Sequence, residues 1–217
     1  MLSLAEENYL KAIYHLSKDG ANAVLTNEIA EVMSTKAASV TDMVKRLSGK
    51  GLISYEKYYG VEISKQGKSE ALMVIRKHRL WETFLVEKLG FNWDEVHEVA
   101  EQLEHIQSTL LIEKLDAFLG NPSVDPHGHP IPDKNGRIKE VRQIPMSEVT
   151  IGNSGQVYSV KNSSPPFLQY LNKIGIQIGV TIQIIGKEEF DGSIEALINN
   201  KKTFVTREVA DNVLVRG

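Results

Sequence analysis

Three apolar stripes with a helical period open the chain, and then the period changes to two. Leu4, Tyr9, Leu10, Ile13, Tyr14 and Leu16 predict a helix over 4–18, closed by Asp19-Gly20. Thr26 starts a second helix as its N-cap hydroxyl, with Ile29, Ala30 and Val32 turned inward. After Ser34-Thr35-Lys36, a third runs from about Ala37 to Gly49 on a stripe of Val40, Met43, Val44 and Leu47. Residues 52–57 and 61–64 then read as short strands joined through Tyr58-Tyr59-Gly60. Helix, helix, short turn, helix, hairpin is the layout of a winged helix-turn-helix.

The helical period returns over 67–90, where Leu72, Ile75, Leu80, Phe84 and Leu85 face inward, and it continues over 93–110 and 111–119. Residues 121–136 hold four of the seven prolines and read as a linker. Beyond Ser147 the pattern is β. Residues 155–160, 181–185, 193–198, 202–206 and 213–215 predict five short strands, with a short helix over 166–174 between the first two. That spacing suggests a small barrel. The fold expected is mainly α with a small β domain. Its parts are a winged helix-turn-helix over 1–66, a helical domain over 67–140 and a β-barrel over 141–217.

Composition narrows the chemistry. The chain has 217 residues, 41% of them hydrophobic and 24% charged, as in ordinary globular proteins. It has no cysteine, which excludes disulfide scaffolds, thiolate zinc sites and iron–sulfur clusters. No apolar run approaches the ~20 residues of a membrane span. The opening lacks the basic start and cleavage site of a signal peptide, so a cytoplasmic location with no membrane partner is expected. The net charge of −3 is unevenly spread: +1 over 1–76, −5 over 77–140 and +1 over 141–217.

The acidic third carries the sharpest chemical pattern. His97, Glu101, Glu104 and His105 are spaced to share one face of a helix, and His78 and Glu82 form a further i, i+4 pair. Imidazole and carboxylate without sulfur suit Mn²⁺, Fe²⁺, Zn²⁺ or Co²⁺. The alternative is a solvated polar stripe, which is the commoner origin of such a face. His97-Glu98-Val99-Ala100-Glu101 comes near the H-E-x-x-H of zinc hydrolases, but glutamate replaces the second histidine. With no nucleophile elbow and no phosphate loop, the chain is expected not to be an enzyme, and a metallohydrolase stays as a minor alternative.

The third predicted helix suits a DNA groove. Ala37 and Ala38 keep its N-terminal end slim, while Lys36, Ser39, Thr41, Asp42, Lys45 and Arg46 lie on its polar side. The hydroxyls of Thr26, Thr35 and Ser39, with Lys45 and Arg46, can hold phosphates. Lys57 and Tyr58 at the hairpin tip can reach the backbone beside the minor groove. A winged helix that serves instead as a protein-interaction module is the alternative reading.

Four segments together resemble the diphtheria-toxin-repressor family of metal-dependent transcription regulators. They are Glu7–Tyr14, Arg76–Leu80, Val96–His105 with its E-x-x-E-H ending, and Gly128-His129-Pro130-Ile131-Pro132. The last third resembles that family's SH3-like, FeoA-type barrel. The resemblance implies a homodimer that binds double-stranded operator DNA when loaded with metal and represses metal-uptake genes. It places Glu101, Glu104 and His105 on the main metal site, with Asn8 where iron-type members have Met and manganese-type members Asp. His78, Glu82 and His97 fall on second-site positions. Glu101 stands where iron-type members have Cys, which tilts the choice towards Mn²⁺, with Fe²⁺ the alternative and Zn²⁺ or Co²⁺ able to bind in vitro. Lys11 stands where the manganese branch has a Glu, and Gln156 and Ser159 where iron-type members supply barrel ligands. Lys36, Ala38, Ser39 and Asp42 fall on DNA-contact positions.

Overall fold

In the computed structural model, which describes residues 2–56, 58–139 and 141–217, the chain divides into two compact units. The first comprises residues 1–78, 101–112 and 132–138, and the second 79–100, 113–131 and 139–217.

The first unit begins with α1 (Leu4–Leu16), α2 (Thr26–Val32) and α3 (Ala37–Gly49), followed by an antiparallel hairpin of β1 (Ile53–Glu56) and β2 (Gly60–Ile63). Ser3 caps α1: its hydroxyl accepts from the Glu6 N–H, and the Glu6 carboxylate accepts from the Ser3 N–H at 2.8 Å. This reciprocal box satisfies two of the donors that a helix start leaves open. The apolar stripes then meet. Leu10, Ile13, Ile29, Val40, Val44, Leu47 and Val61 form one core with Leu72 and Ile75 of α4 (Lys65–Leu89). A side chain at Gly67 would strike the Leu52 carbonyl oxygen at 2.0 Å, so only glycine lets α4 start against β1.

Two details differ from the sequence expectation here. Leu25, not Thr26, is the N-cap of α2, and the Glu28 carboxylate accepts from the Leu25 N–H at 2.7 Å instead of a hydroxyl doing so. Val32, expected inside, is 56% exposed because the seven-residue helix ends before its stripe returns to the core.

The segment expected as one helix over 93–110 is broken. α5 covers only His97–Leu103, Glu104 and His105 lie in the turn after it, and α6 spans Thr109–Phe118. The four residues predicted to share a helical face therefore do not share one. The turn redirects Glu104 into the protein, where it is fully buried.

The second unit is dominated by a six-stranded antiparallel sheet in the order β3-β8-β4-β5-β6-β7. Its strands are β3 (Ile144–Pro145), β4 (Ser154–Val160), β5 (Thr181–Lys187), β6 (Ile194–Ile198), β7 (Lys201–Val205) and β8 (Val213–Arg216). Five had been expected; the sixth, β3, is two residues long, too short to leave an alternating pattern. α7 (Pro165–Ile174) starts on prolines and ends at Gly175 in the left-handed region, as expected of a short connecting helix. α8 (Arg207–Asn212) had not been expected. Val157, Val160, Leu168, Leu171, Ile182, Ile184 and Val213 fill the core beneath the sheet. The architecture is the expected one: winged helix-turn-helix, helical segment and SH3-like β domain. The stretch 121–136 is irregular, as expected of a linker, but Asp125 and His127 within it are buried.

Candidate metal centres and nucleic-acid interface

Among the described residues, facing carboxylates and imidazoles occur in each unit, and every histidine but His15 takes part in them. In the first unit, Glu104 is the hub. One of its oxygens lies 2.6 Å from the Lys11 Nζ and the other 2.6 Å from the His78 Nδ1. Lys11 Nζ also reaches Glu101 at 3.5 Å. His105 Nδ1 lies 2.6 Å from Glu7 Oε2, and its Nε2 lies 3.6 Å from Glu104. Gln107 donates to Glu7 at 2.9 Å, and Lys77 Nζ stands 3.7 Å from the same carboxylate. Burial pushes the Glu104 carboxyl up, but the His78 hydrogen bond and the charges of Lys11 and His78 prevail and hold it below the usual carboxylate range.

Sequence reasoning named Glu101, Glu104 and His105 for this group, and the structure brings them together; His78, which it assigned with Glu82 and His97 to a second site, joins them through Glu104. Asn8 is half-buried on α1, and among the described residues its amide takes no part in the hydrogen bonds of the group. Glu7, one residue earlier, does. The helical period gave the signal: Glu7 and Lys11 are i, i+4 on the inward face of α1.

In the second unit, Glu82 and His97 form the other half of the predicted set. His97 Nδ1 lies 3.6 Å from one Glu82 oxygen. The other Glu82 oxygen faces the Nδ1 of a residue that sequence reasoning missed, His127, also at 3.6 Å. His127 belongs to the tight turn Asp125–His129. Asp125 Oδ1 accepts from the backbone N–H groups of His127 and His129, at 2.8 and 3.0 Å, and so builds the turn. Gly128, at φ +81°, is its pivot: a Cβ there would meet the Tyr158 carbonyl oxygen at 1.9 Å, where β4 bulges between Val157 and Ser159.

The turn fixes both imidazoles. His127 Nε2 donates to the Trp93 carbonyl and His129 Nε2 to the Val160 carbonyl, each at 2.7 Å. With Nε2 held as the donor, Nδ1 is the nitrogen left on both rings that could ligate a metal, the arrangement by which outer contacts orient such a ligand. Asp125, His127 and His129 each bring a donor atom within 4.8 Å of the others. Asp125 Oδ2 is buried with no hydrogen-bond partner; His129 Nδ1 stands 3.3 Å from it and Arg79 Nε 3.6 Å. His127 Nδ1 lies 3.9 Å from the other Asp125 oxygen, so a buried carboxylate flanked by two imidazoles, with Glu82 beside His127, fits a divalent cation in donor type. Burial would lower the His127 pKa, but its bond to Glu82, the Glu82 and Asp125 charges and the Trp93 carbonyl raise it above the ordinary value. The signal available in the sequence was Asp125-Pro126-His127-Gly128-His129, two imidazoles and a carboxylate within five residues of a turn-forming stretch.

On the DNA side, Lys36, Ala38, Ser39, Asp42, Lys45 and Arg46 are exposed on and just before α3, and Tyr58 is 85% exposed at the hairpin. Thr26 is half-buried. One hydroxyl is committed elsewhere, Thr41 donating to the Ala37 carbonyl at 2.9 Å, and Thr35 is half-buried. Lys57 lies outside the described residues.

Comparison with known proteins agrees with this layout. Residues 1–61 match the iron dependent repressor N-terminal DNA binding domain, 64–133 the iron dependent repressor metal binding and dimerisation domain, and 144–217 the FeoA domain. The iron-dependent repressor IdeR of Mycobacterium tuberculosis is 36% identical over 126 residues, 58% of this chain. That match spans 54% of the IdeR length, so the chain aligns with about half of this relative. A solved manganese-dependent transcriptional repressor in complex with manganese superposes with a TM-score of 0.85 at 32% identity, over 97% of this chain and 98% of the other. The structure of ScaR with bound Zn²⁺ superposes with a TM-score of 0.79, also at 32% identity and over the same shares. The chain belongs to the iron-dependent, diphtheria-toxin-type repressor family.

Proposed function

We propose that this chain is a metal-responsive repressor, not an enzyme, that binds double-stranded operator DNA as a cytoplasmic homodimer and represses metal-uptake genes, with Mn²⁺ as effector ahead of Fe²⁺. The observation that carries the reading is the turn at Asp125–His129, where two Nδ1 atoms and an under-satisfied carboxylate oxygen converge with Glu82. Glu82, Asp125, His127 and His129 would hold the ion, with His97 at the rim. A divalent cation there supplies two positive charges that tie α4, the segment around Trp93–His97 and the 125–129 turn into one body. The absence of thiolate and the presence of carboxylates favour Mn²⁺ or Fe²⁺ over softer ions. Relatives whose names include iron, manganese and bound zinc support metal responsiveness without choosing among the metals.

DNA binding is supported by the exposed face of α3. Among the described residues, Lys36, Lys45 and Arg46 are not spent on ion pairs within the chain, so they are available to phosphates. Pairing is supported by apolar side chains left in solvent on the helical segment, Leu89 (57% exposed), Leu110 (65%) and Phe118 (65%). A dimer would present two recognition helices to half-sites about one DNA turn, ~34 Å, apart. In this reading residues 1–66 read DNA, 67–140 sense metal and pair, and 141–217 supply the barrel that buttresses the 125–129 turn. No helix is long and apolar enough to cross a membrane among the described residues.

The test is selection from randomised duplexes followed by mobility shifts with Mn²⁺, Fe²⁺ or EDTA. The expected result is a defined duplex retained with Mn²⁺ and released by chelator. A shift indifferent to metal, or no selected sequence at all, would overturn the reading.

A further inference from the structure

The first unit contains a cation of its own. Lys11 projects from α1 with its side chain only 15% exposed, and its ammonium sits 2.6 Å from Glu104 and 3.5 Å from Glu101. These are two of the three side chains that the E-x-x-E-H pattern offers to a metal. The other Glu104 oxygen is taken by His78 at 2.6 Å, and His105 by Glu7 at the same distance. An ammonium is a compact point charge with three donors, so a lysine can bridge two carboxylates much as a small ion does. Lys77 stands 3.7 Å from Glu7. The two carboxylates of the pattern, Glu101 and Glu104, thus already share one ammonium, in direct hydrogen-bond contact with Glu104. The second unit differs in its hydrogen bonds: among the described residues Arg79 stands 3.6 Å from Asp125, and the Asp125 oxygen it faces accepts none, whereas Lys11 donates to Glu104 at 2.6 Å.

We propose that Lys11 is a built-in counter-cation. It clamps α1 to the turn at Glu104 without any metal and sets the selectivity of the molecule by weakening divalent-cation binding at Glu101, Glu104 and His105, so that the 125–129 turn is the responsive site. The inference rests on the metal-responsive reading above. Two charges at a few ångströms interact strongly where water is scarce. A divalent ion entering beside the Lys11 ammonium meets that repulsion in full, and one entering after its removal finds Glu101 and Glu104 without it.

The experiment is a titration with Mn²⁺, followed by loss of the free-ion electron paramagnetic resonance signal, on the full chain and on Lys11→Met, Lys11→Glu and Lys11→Arg. Each is made both in the parent sequence and with His127→Gln, which disables the other cluster. With His127→Gln present, Lys11→Met is expected to bind Mn²⁺ at least tenfold more tightly than the chain retaining Lys11. Lys11→Glu is expected to bind tighter again, and Lys11→Arg to stay at the level of lysine. In chelator Lys11→Met melts at a lower temperature than the parent, and Mn²⁺ restores it. Should Lys11→Met prove unfolded in chelator, Mn²⁺-induced recovery of its circular dichroism supports the proposal and absence of recovery overturns it. Folded Lys11→Met and Lys11→Glu that bind Mn²⁺ no better than the parent overturn it as well. The reading of the protein as a metal-responsive repressor fails separately, if the parent chain shows no Mn²⁺-dependent retention of its selected duplex.

Discussion

The Glu104 group and the 125–129 group are built from the same residue types and solve their electrostatics in opposite ways. Around Glu104 the negative charge is met inside the chain, by Lys11 at 2.6 Å and His78 at 2.6 Å, and hydrogen bonds take up both oxygens. Around Asp125 the backbone takes the outer face of each donor, through the Trp93 and Val160 carbonyls and the His127 and His129 N–H groups. The inner face keeps the His129 Nδ1 3.3 Å from the unbonded Asp125 oxygen and the His127 Nδ1 3.6 Å from Glu82. A list of histidines and acids does not separate an ion-pair network closed within the chain from one whose carboxylate keeps an unbonded oxygen. The partners on the far side of each ring do.

Breaking the hub of the first group gives the largest expected effect. Glu104→Ala leaves Lys11 and His78 buried without their shared acceptor, and loss of one partner from a buried pair typically costs about 3–5 kcal/mol. Urea denaturation in EDTA measures it; a loss under about 1 kcal/mol would mean that the network is not a clamp. Next comes Gly128→Ala. Its Cβ collides with Tyr158 at 1.9 Å in a φ that only glycine adopts easily. A cost of about 3 kcal/mol is expected, in the range of other buried steric conflicts, together with loss of Mn²⁺ binding at the turn. Retained metal affinity in this variant would show that the turn need not hold its shape.

His127→Gln acts on the second group alone. Removing an outer contact of a metal ligand costs about 10–100-fold in affinity, so removing the ligand itself should cost more than about 100-fold. Calorimetric titration with Mn²⁺ checks it, and equal affinity would remove His127 from the site.

The smallest expected effect is on pH dependence in chelator, and it has opposite sign in the two groups. The Glu104 pKa is depressed, so its contribution is present above the unfolded carboxylate value of about 4.3 and is lost as pH falls through the lower folded value. The His127 pKa is raised, so its contribution is full below the unfolded value of about 6.5 and is lost as pH rises through the higher folded value. Melting scans of the parent, Glu104→Ala and His127→Gln at several pH values separate them: the first variant flattens the acid limb, the second the alkaline limb.

Long elements were legible from pattern alone. The stripes of α1, α3 and α4 and the strand pattern of the β domain lie within a few residues of where they were expected, because each depends on local periodicity and on glycines at the ends. The break after Leu103 was not legible. Residues 97–110 keep helical spacing in sequence, and the turn coincides with Glu104 being buried against Lys11 and His78, contacts no local pattern reveals. His127 and His129 were hidden for a different reason. Their stretch carries the prolines of a linker, and what orders it is a set of backbone partners, Trp93 and Val160, more than thirty residues away in each direction.

By itself the sequence determined the class of chemistry and the kind of scaffold: carboxylates and imidazoles without thiols, a slim-ended basic helix after a short turn, and a β domain behind them. These follow from residue type and short-range spacing. Only the tertiary structure decided which acids are already neutralised by the chain and which still face one another, since a charge is satisfied by whatever lies within a few ångströms in space. Lys11 and Glu104 are 93 positions apart in sequence and 2.6 Å apart when folded.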